Sequence, residues 1–194
     1  MVPAAFDNFF LGASGAGAAL IGLLFVATSI SPERIFSSKA PPEVGAVAVS
    51  AFIALVNAFF VSVAGLIPKS NIGYTALVFA AFGGVNALSL GRRLAVNRWQ
   101  HRKEFKPGRL WLRISRDLFL VIVSLVIYGF EFFYAFQLIK HEKQVGPLYS
   151  LCSILLVING IGLLRAWELL GARRGGILGW LNPLDPDDAI PTES

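Results

Sequence analysis

The chain has 194 residues, 55% hydrophobic and 15% charged, with a formal net charge of +5 and a mean hydropathy of +0.65. That balance excludes an ordinary water-soluble fold and points to a bilayer as the solvent. One crossing of about 30 Å of hydrocarbon takes roughly 20 apolar residues, which leaves room for about five crossings and no separate soluble domain.

The first apolar run, 6–30 (FDNFFLGASGAGAALIGLLFVATSI), stops at Ser31 and Pro32, where proline ends one helix and can open a short next one. It carries Asp7 where a secretory signal would be basic and is too long for a cleaved segment, so a retained helix is expected. The second run, 44–67, closes at Pro68. A turn over 69–73 leads to the third, 74–90, which at about 17 residues is near the minimum for a crossing. The fourth, 118–139, lies between Asp117 and Lys140, and the fifth, 148–170, ends before Gly171 and an Arg-Arg pair.

The expected fold is therefore all-α, a polytopic bundle of five transmembrane helices. Residues 1–184 form one membrane domain that includes a basic loop, 91–117. The tail 185–194 (DPDDAIPTES) is acidic and proline-bearing, too polar to order itself, and is expected to be mobile. Just before it, Ile177, Leu178, Trp180, Leu181 and Leu184 are too few to span and suit the inner interface. No internal repeat suggests a transporter built from two halves.

Basic residues near span ends are retained on the cytoplasmic side. The segment 91–117 holds Arg92, Arg93, Arg98, Arg102, Lys103, Lys106, Arg109, Arg113 and Arg116. With that segment inside, Arg34, Lys39, Arg165, Arg173 and Arg174 are inside too, and only Lys69, Lys140 and Lys143 of the 17 basic residues fall outside. The expected topology has the N-terminus outside and the C-terminus in the cytoplasm, in a bacterial inner membrane. Arg92, Arg93, Arg98, Arg102, Lys103, Lys106 and Arg109 are expected to meet anionic lipid headgroups, each contributing roughly 1 kcal/mol near the surface.

Glu131 is the one acid near the middle of a span, about 4 Å from the centre of the fourth helix. An ionised carboxylate there costs roughly 3 kcal/mol on insertion scales. The 15 Leu, Ile, Val and Phe residues of that run outweigh it at roughly 0.3 to 0.6 kcal/mol each. Two readings stand side by side. Intramembrane acids line ion or proton pathways, whereas a protonated glutamic acid can simply donate a hydrogen bond inside the bundle. Tyr128 and Tyr134, three residues to either side, are candidate partners. Asn57, Asn159 and Asn86 lie at similar depth in the second, fifth and third helices. They read either as interhelical glue at about 0.6 to 2 kcal/mol each or, with Glu131, as a polar seam. Arg165, about 9 Å inward of the middle of its helix, can snorkel to a boundary ion pair with Asp117 or Glu168.

Helix one is thin in its outer half: Gly12, Gly15, Ala16, Ala19 and Gly22 are small residues spaced by three and four. Such faces let backbones approach closely, so this helix is expected to be buried against others, within the chain or across a subunit boundary. Its glycines lie within an apolar span and do not form a phosphate loop.

Several chemistries fail. Cys152 is the single cysteine, which removes an intrachain disulfide. His101 and His141 fall on opposite sides of the membrane and cannot share a metal. His141-Glu142 begins a zincin motif, but Val145 holds the second histidine's place. No span offers a serine-histidine or paired-acid constellation, and Ile72-Gly73-Tyr74 lacks the rest of a potassium filter. No enzyme activity, cofactor, metal or nucleic-acid partner is expected.

The words LGASGAGAALIGLLFVATSISPERI, 11–35, resemble the start of a group of small bacterial multi-pass membrane proteins, some labelled modulator of a membrane AAA protease. The likeness covers about 25 residues, rests on glycine and alanine spacing, and brings no catalytic residues with it. The function expected is action through helix packing, as a homo-oligomer or as partner or regulator of another membrane complex. The alternative is an ion or proton channel or transporter with Glu131 in its path.

Overall fold

The computed structural model describes residues 2–30, 42–100, 107–141 and 144–169; side chains at 30, 42–44, 94–95, 97–100, 107–117, 120 and 168–169 are outside that set. A 3-10 turn, Ala4–Phe6, leads into α1 (Asp7–Ile30), followed by α2 (Pro42–Gly65), α3 (Ile72–Gln100), α4 (Pro107–Lys140) and α5 (Gly146–Leu169). No strand occurs among the described residues, and all five helices are long and apolar enough to cross a membrane. The chain is built as an all-α multi-pass membrane protein.

Two helices outrun their apolar spans. α3 was expected to end at 90 but continues to Gln100, and α4 begins at Pro107 instead of 118, so much of the expected loop 91–117 is helical. Hydropathy measures where a helix leaves the hydrocarbon, not where it stops. Nothing between Arg92 and Gln100 breaks a helix, since Arg, Leu and Ala are good formers, and proline is well tolerated in a first turn. The expected tail 185–194 and the interfacial residues before it lie outside the described residues.

Helices α2 to α5 close a ring in which α2 meets α3, α3 meets α4, α4 meets α5 and α5 returns to α2. α1 is laid on the outside of α2 and touches α5 only sparingly. Half of the α2 span is buried, against 22% of the α1 span, so α2 is the central helix and α1 the peripheral one. The outer surface carries Leu23, Val78, Phe82, Val85, Phe133 and Leu156, all more than half exposed, a covering that suits lipid and not water.

The small-residue seam lies on α3, not α1. Gly73, Ala76, Ala80, Gly83, Ala87 and Gly91 recur at spacings of three and four, and the alanines among them are almost completely buried. A Cβ at Gly83 would overlap the Tyr128 ring, and one at Gly73 would lie 2.7 Å from the Ala135 carbonyl oxygen. The two backbones therefore meet through glycine, as close membrane packing requires. The turn into α3 is fixed by Asn71, whose Oδ1 accepts from the Gly73 amide at 2.9 Å while its Nδ2 donates to the Leu138 carbonyl at 3.2 Å. One side chain thus caps α3 and ties it to the end of α4.

By contrast, Gly12, Gly15, Ala16, Ala19 and Gly22 are exposed, and a Cβ at Gly12, Gly15 or Gly22 would meet nothing within 4 Å. The expectation that these residues bury helix one within the chain is corrected. α1 docks instead through Phe10, whose ring fills the space beside Gly65, and through Gly17 against Phe59. Phe6 adds an edge contact with Tyr149 on α5, 4.8 Å between centroids. Large side chains give a peripheral helix more buried area than glycines can, which is why the thin face is left outward.

Gly83→Ala should destabilise the bundle by roughly 1–3 kcal/mol through overpacking, while Gly84→Ala, with nothing within 4 Å of its added carbon, should be close to neutral. Thermal unfolding in detergent reads the difference. Equal midpoints would remove the α3–α4 seam as the closest packing in the molecule.

Candidate functional site

The inward face of α4 follows a strict alternation of four and three: Ser124, Tyr128, Glu131, Ala135 and Leu138 are its buried residues. That is the stripe a helix presents to partners crossing at a shallow angle. Its C-terminal half is apolar. Its N-terminal half carries two hydroxyls and a carboxyl over about 10 Å of helix.

Glu131 is completely enclosed, and so is Asn57 on α2. Asn57 Nδ2 donates to Glu131 Oε2 at 2.8 Å. A buried polar group without a partner costs several kcal/mol in hydrocarbon, so this bond joins the two helices where each most needs it. The pair is only half satisfied: Glu131 Oε1 and Asn57 Oδ1 are both buried with no hydrogen-bond partner. Ala54 and Ala58, which flank Asn57 on α2, and Tyr128, one turn from Glu131 on α4, pack in one buried cluster with Ala87 of α3 and Ile158 of α5, so all four ring helices meet at this level.

Neither tyrosine supplies the bond that sequence proximity suggests. Tyr128 is buried with its ring over Gly83, within electrostatic reach of both Glu131 and Arg165. Tyr134 is turned sideways, its ring 6.4 Å from that of Phe130 and 5.3 Å from that of Phe133. Asn159 is half-buried next to Ile158, with Oδ1 enclosed and unpartnered. Asn86 is half-buried beside Ala87. No described hydrogen bond joins either amide to Glu131, so of the expected seam the structure brings together Asn57 and Glu131.

Arg165 takes an unexpected partner. Its Nη2 donates to Ser124 Oγ at 2.9 Å, about 10 Å along α4 from Asp117 on the inward side. The guanidinium thus reaches along the bundle interior. The side chains of Asp117 and Glu168, and with them the expected boundary pair, lie outside the described residues. Ser124 was missed by sequence reasoning, although its position seven residues before Glu131 places it on the same face. Of the basic residues expected at lipid headgroups, Arg92 and Arg93 are exposed; the side chains of Arg98, Arg102, Lys103, Lys106 and Arg109 are outside the described set.

Among the described residues no group of three or more His, Cys, Asp or Glu side chains could hold a metal. Cys152 is free and buried in the apolar end of the bundle. No family model, curated protein or solved structure matches the chain.

Asn57→Leu should cost roughly 1–3 kcal/mol by leaving Glu131 Oε2 without its donor. Glu131→Leu combined with it should recover part of that loss, because two apolar side chains leave nothing unsatisfied. A double-mutant cycle on unfolding in mixed micelles is expected to return a coupling of about 0.6 to 2 kcal/mol. Strict additivity would mean that the bond contributes nothing to holding α2 on α4.

Proposed function

We propose that this membrane protein acts by lateral helix packing, offering the outer face of α1 to a second membrane helix, either of another copy or of a partner complex. The observation that carries the reading is the placement of five small residues, Gly12, Gly15, Ala16, Ala19 and Gly22, on the exposed side of the least covered helix. In lipid, where apolar side chains gain little by leaving the acyl chains, close backbone approach across small residues is a principal drive for association. Using them there, while phenylalanines anchor the same helix to its own bundle, divides α1 into a docked side and an open side. The likeness of residues 11–35 to a group that includes protease modulators points the same way.

A conduit crossing the whole membrane is the second reading, favoured by the buried, half-satisfied Glu131–Asn57 pair. Against a through-path stands the apolar cluster of Phe10, Val61, Ile72, Leu138, Leu148 and Leu151 beyond it. Lateral packing is therefore the reading we adopt.

Gly15→Leu and Ala19→Leu form a clean test, because side chains added on this open face meet no neighbour at Gly15 and should leave the monomer folded. The expected result is loss of the oligomer, or of co-purifying membrane partners, by cross-linking in native membranes, with unchanged thermal stability of the monomer. An unchanged oligomer and partner set would defeat the proposal.

The orientation proposed with it has the N-terminus outside and the C-terminus in the cytoplasm of a bacterial inner membrane, following the basic ends of α3 and α4. A thiol reagent that cannot cross membranes should label Gln144→Cys, but not Arg93→Cys, from outside intact cells. The native thiol is buried and should stay silent. Labelling of the Arg93 position from outside would invert the topology.

A further inference from the structure

We infer that Glu131 is an exchangeable proton-binding site open to one face of the membrane only, reached from the Arg165 end of the bundle by way of Ser124 and Tyr128. This is independent of lateral packing by α1, since Glu131 lies inside the four-helix ring and α1 lies outside it.

Three observations converge. The carboxyl is fully enclosed, yet one of its oxygens, Oε1, has no partner, and the amide oxygen of the Asn57 bonded to it has none either. Two enclosed acceptors on one bonded pair are the arrangement a single added proton relieves: bound to one, it can be shared with the other. A larger cation would need several converging oxygens and room for them. The pair supplies two open oxygens, Glu131 Oε1 and Asn57 Oδ1, fewer than such a cation needs.

The surroundings of the pair are unequal along the bundle. Toward the start of α4 the inward stripe continues as Tyr128 and Ser124, and Ser124 accepts from Arg165. Hydroxyls at these positions can each take a proton on one side and release one on the other, over about 10 Å. Toward the end of α4 the stripe becomes Ala135 and Leu138, closed over by Phe10, Ile72, Leu148 and Leu151. Among the described residues the buried hydroxyls at that end are Ser14 on α1, which is spent on the Leu11 carbonyl, and Ser62 on α2, which has no hydrogen-bond partner.

The step balances in protons: hydronium at the Arg165 end gives up a proton and becomes water, each hydroxyl takes one proton and passes on its own, and an O–H bond forms on the Glu131 carboxylate, with the reverse on release. Tyr128 is not hydrogen-bonded to Glu131 at rest, so its hydroxyl must turn for the last transfer. The titratable or charged groups on the helices around Glu131 are Tyr128 on its own helix, within electrostatic reach of it, and on α5 Arg165, which is bonded to Ser124, and Cys152, which lies in the apolar cluster. α2 contributes the neutral Asn57 and Ser62, and α3 the neutral Asn86.

Infrared spectroscopy of the full chain in lipid nanodiscs tests this. The expected result is a carbonyl band of a protonated carboxylic acid that is absent in Glu131→Gln, fades reversibly as pH is raised, and shifts in heavy water. A band absent at every pH, or present and unchanged by pH, overturns the site. For the route, Tyr128→Phe and Ser124→Ala should each slow the hydrogen–deuterium shift of that band roughly tenfold, the scale of one lost hydrogen bond, while Ser62→Ala should leave it unchanged. Slowing by Ser62→Ala with none from Tyr128→Phe would place the entrance at the other end and overturn the one-sided reading. Adding sodium in place of potassium should not alter the band; a loss of the band with sodium would assign the site to a metal cation instead.

Discussion

A polar side chain in hydrocarbon has no water to fall back on, so its partners must come from the same bundle. The bond from Asn57 to Glu131 is the point at which this constraint acts most strongly here, because both residues are enclosed and they sit on different helices. It fixes the register of α2 against α4: sliding either helix by one turn, about 5.4 Å, would separate the two and leave both unsatisfied. The ring of four helices can thus be understood as packing organised about one polar contact, with α1 added afterwards by aromatic side chains.

Small residues do two different jobs in this chain, and their surroundings decide which. On α3 they are covered, and the facing helix brings its bulk to them: Tyr128 against Gly83, Val121 against Gly91. On α1 the same residue types are left bare, while Phe10 and Phe25 reach back to α2. A glycine in a membrane helix gives up side-chain packing and gains close approach, so it strengthens an interface only where something approaches. The difference explains how a helix with so many glycines can be the least covered of the five.

Much of the architecture was legible because hydrocarbon imposes length and apolarity on each crossing. The five runs near 6–30, 44–67, 74–90, 118–139 and 148–170 each contain a helix. What hydropathy missed was helix continuing into water, as in α3 beyond Leu90 and α4 before Leu118, where charged residues are no obstacle. Glu131 and Asn57 were each visible as polar residues at mid-depth. Their pairing was not, because it depends on which helices are neighbours and how far each has slid. The tyrosines three residues from Glu131 were suggested by helical periodicity alone, which gives the side of a helix but not the reach of a ring. The α3 seam is also present in the sequence as Gly73, Ala76, Ala80, Gly83, Ala87 and Gly91, but the denser cluster on α1 has the same spacing, and spacing alone does not say which face meets a neighbour.

The Arg165–Ser124 bond adds an asymmetry that composition alone does not reveal. A guanidinium keeps its charge under all ordinary conditions, and a long side chain near a span end can follow its helix outward to water. Here it reaches Ser124 on the inward face of α4, so the α4 stripe is polar on one side of Glu131 and apolar, as Ala135 and Leu138, on the other. A bundle stabilised only by packing would have no need of that gradient, since leucine at 124 and 165 would fill the same space without a desolvation cost. Keeping a serine, a tyrosine and a carboxyl in line costs stability at every position, and the arrangement becomes intelligible if charge or protons have to reach Glu131 from that side.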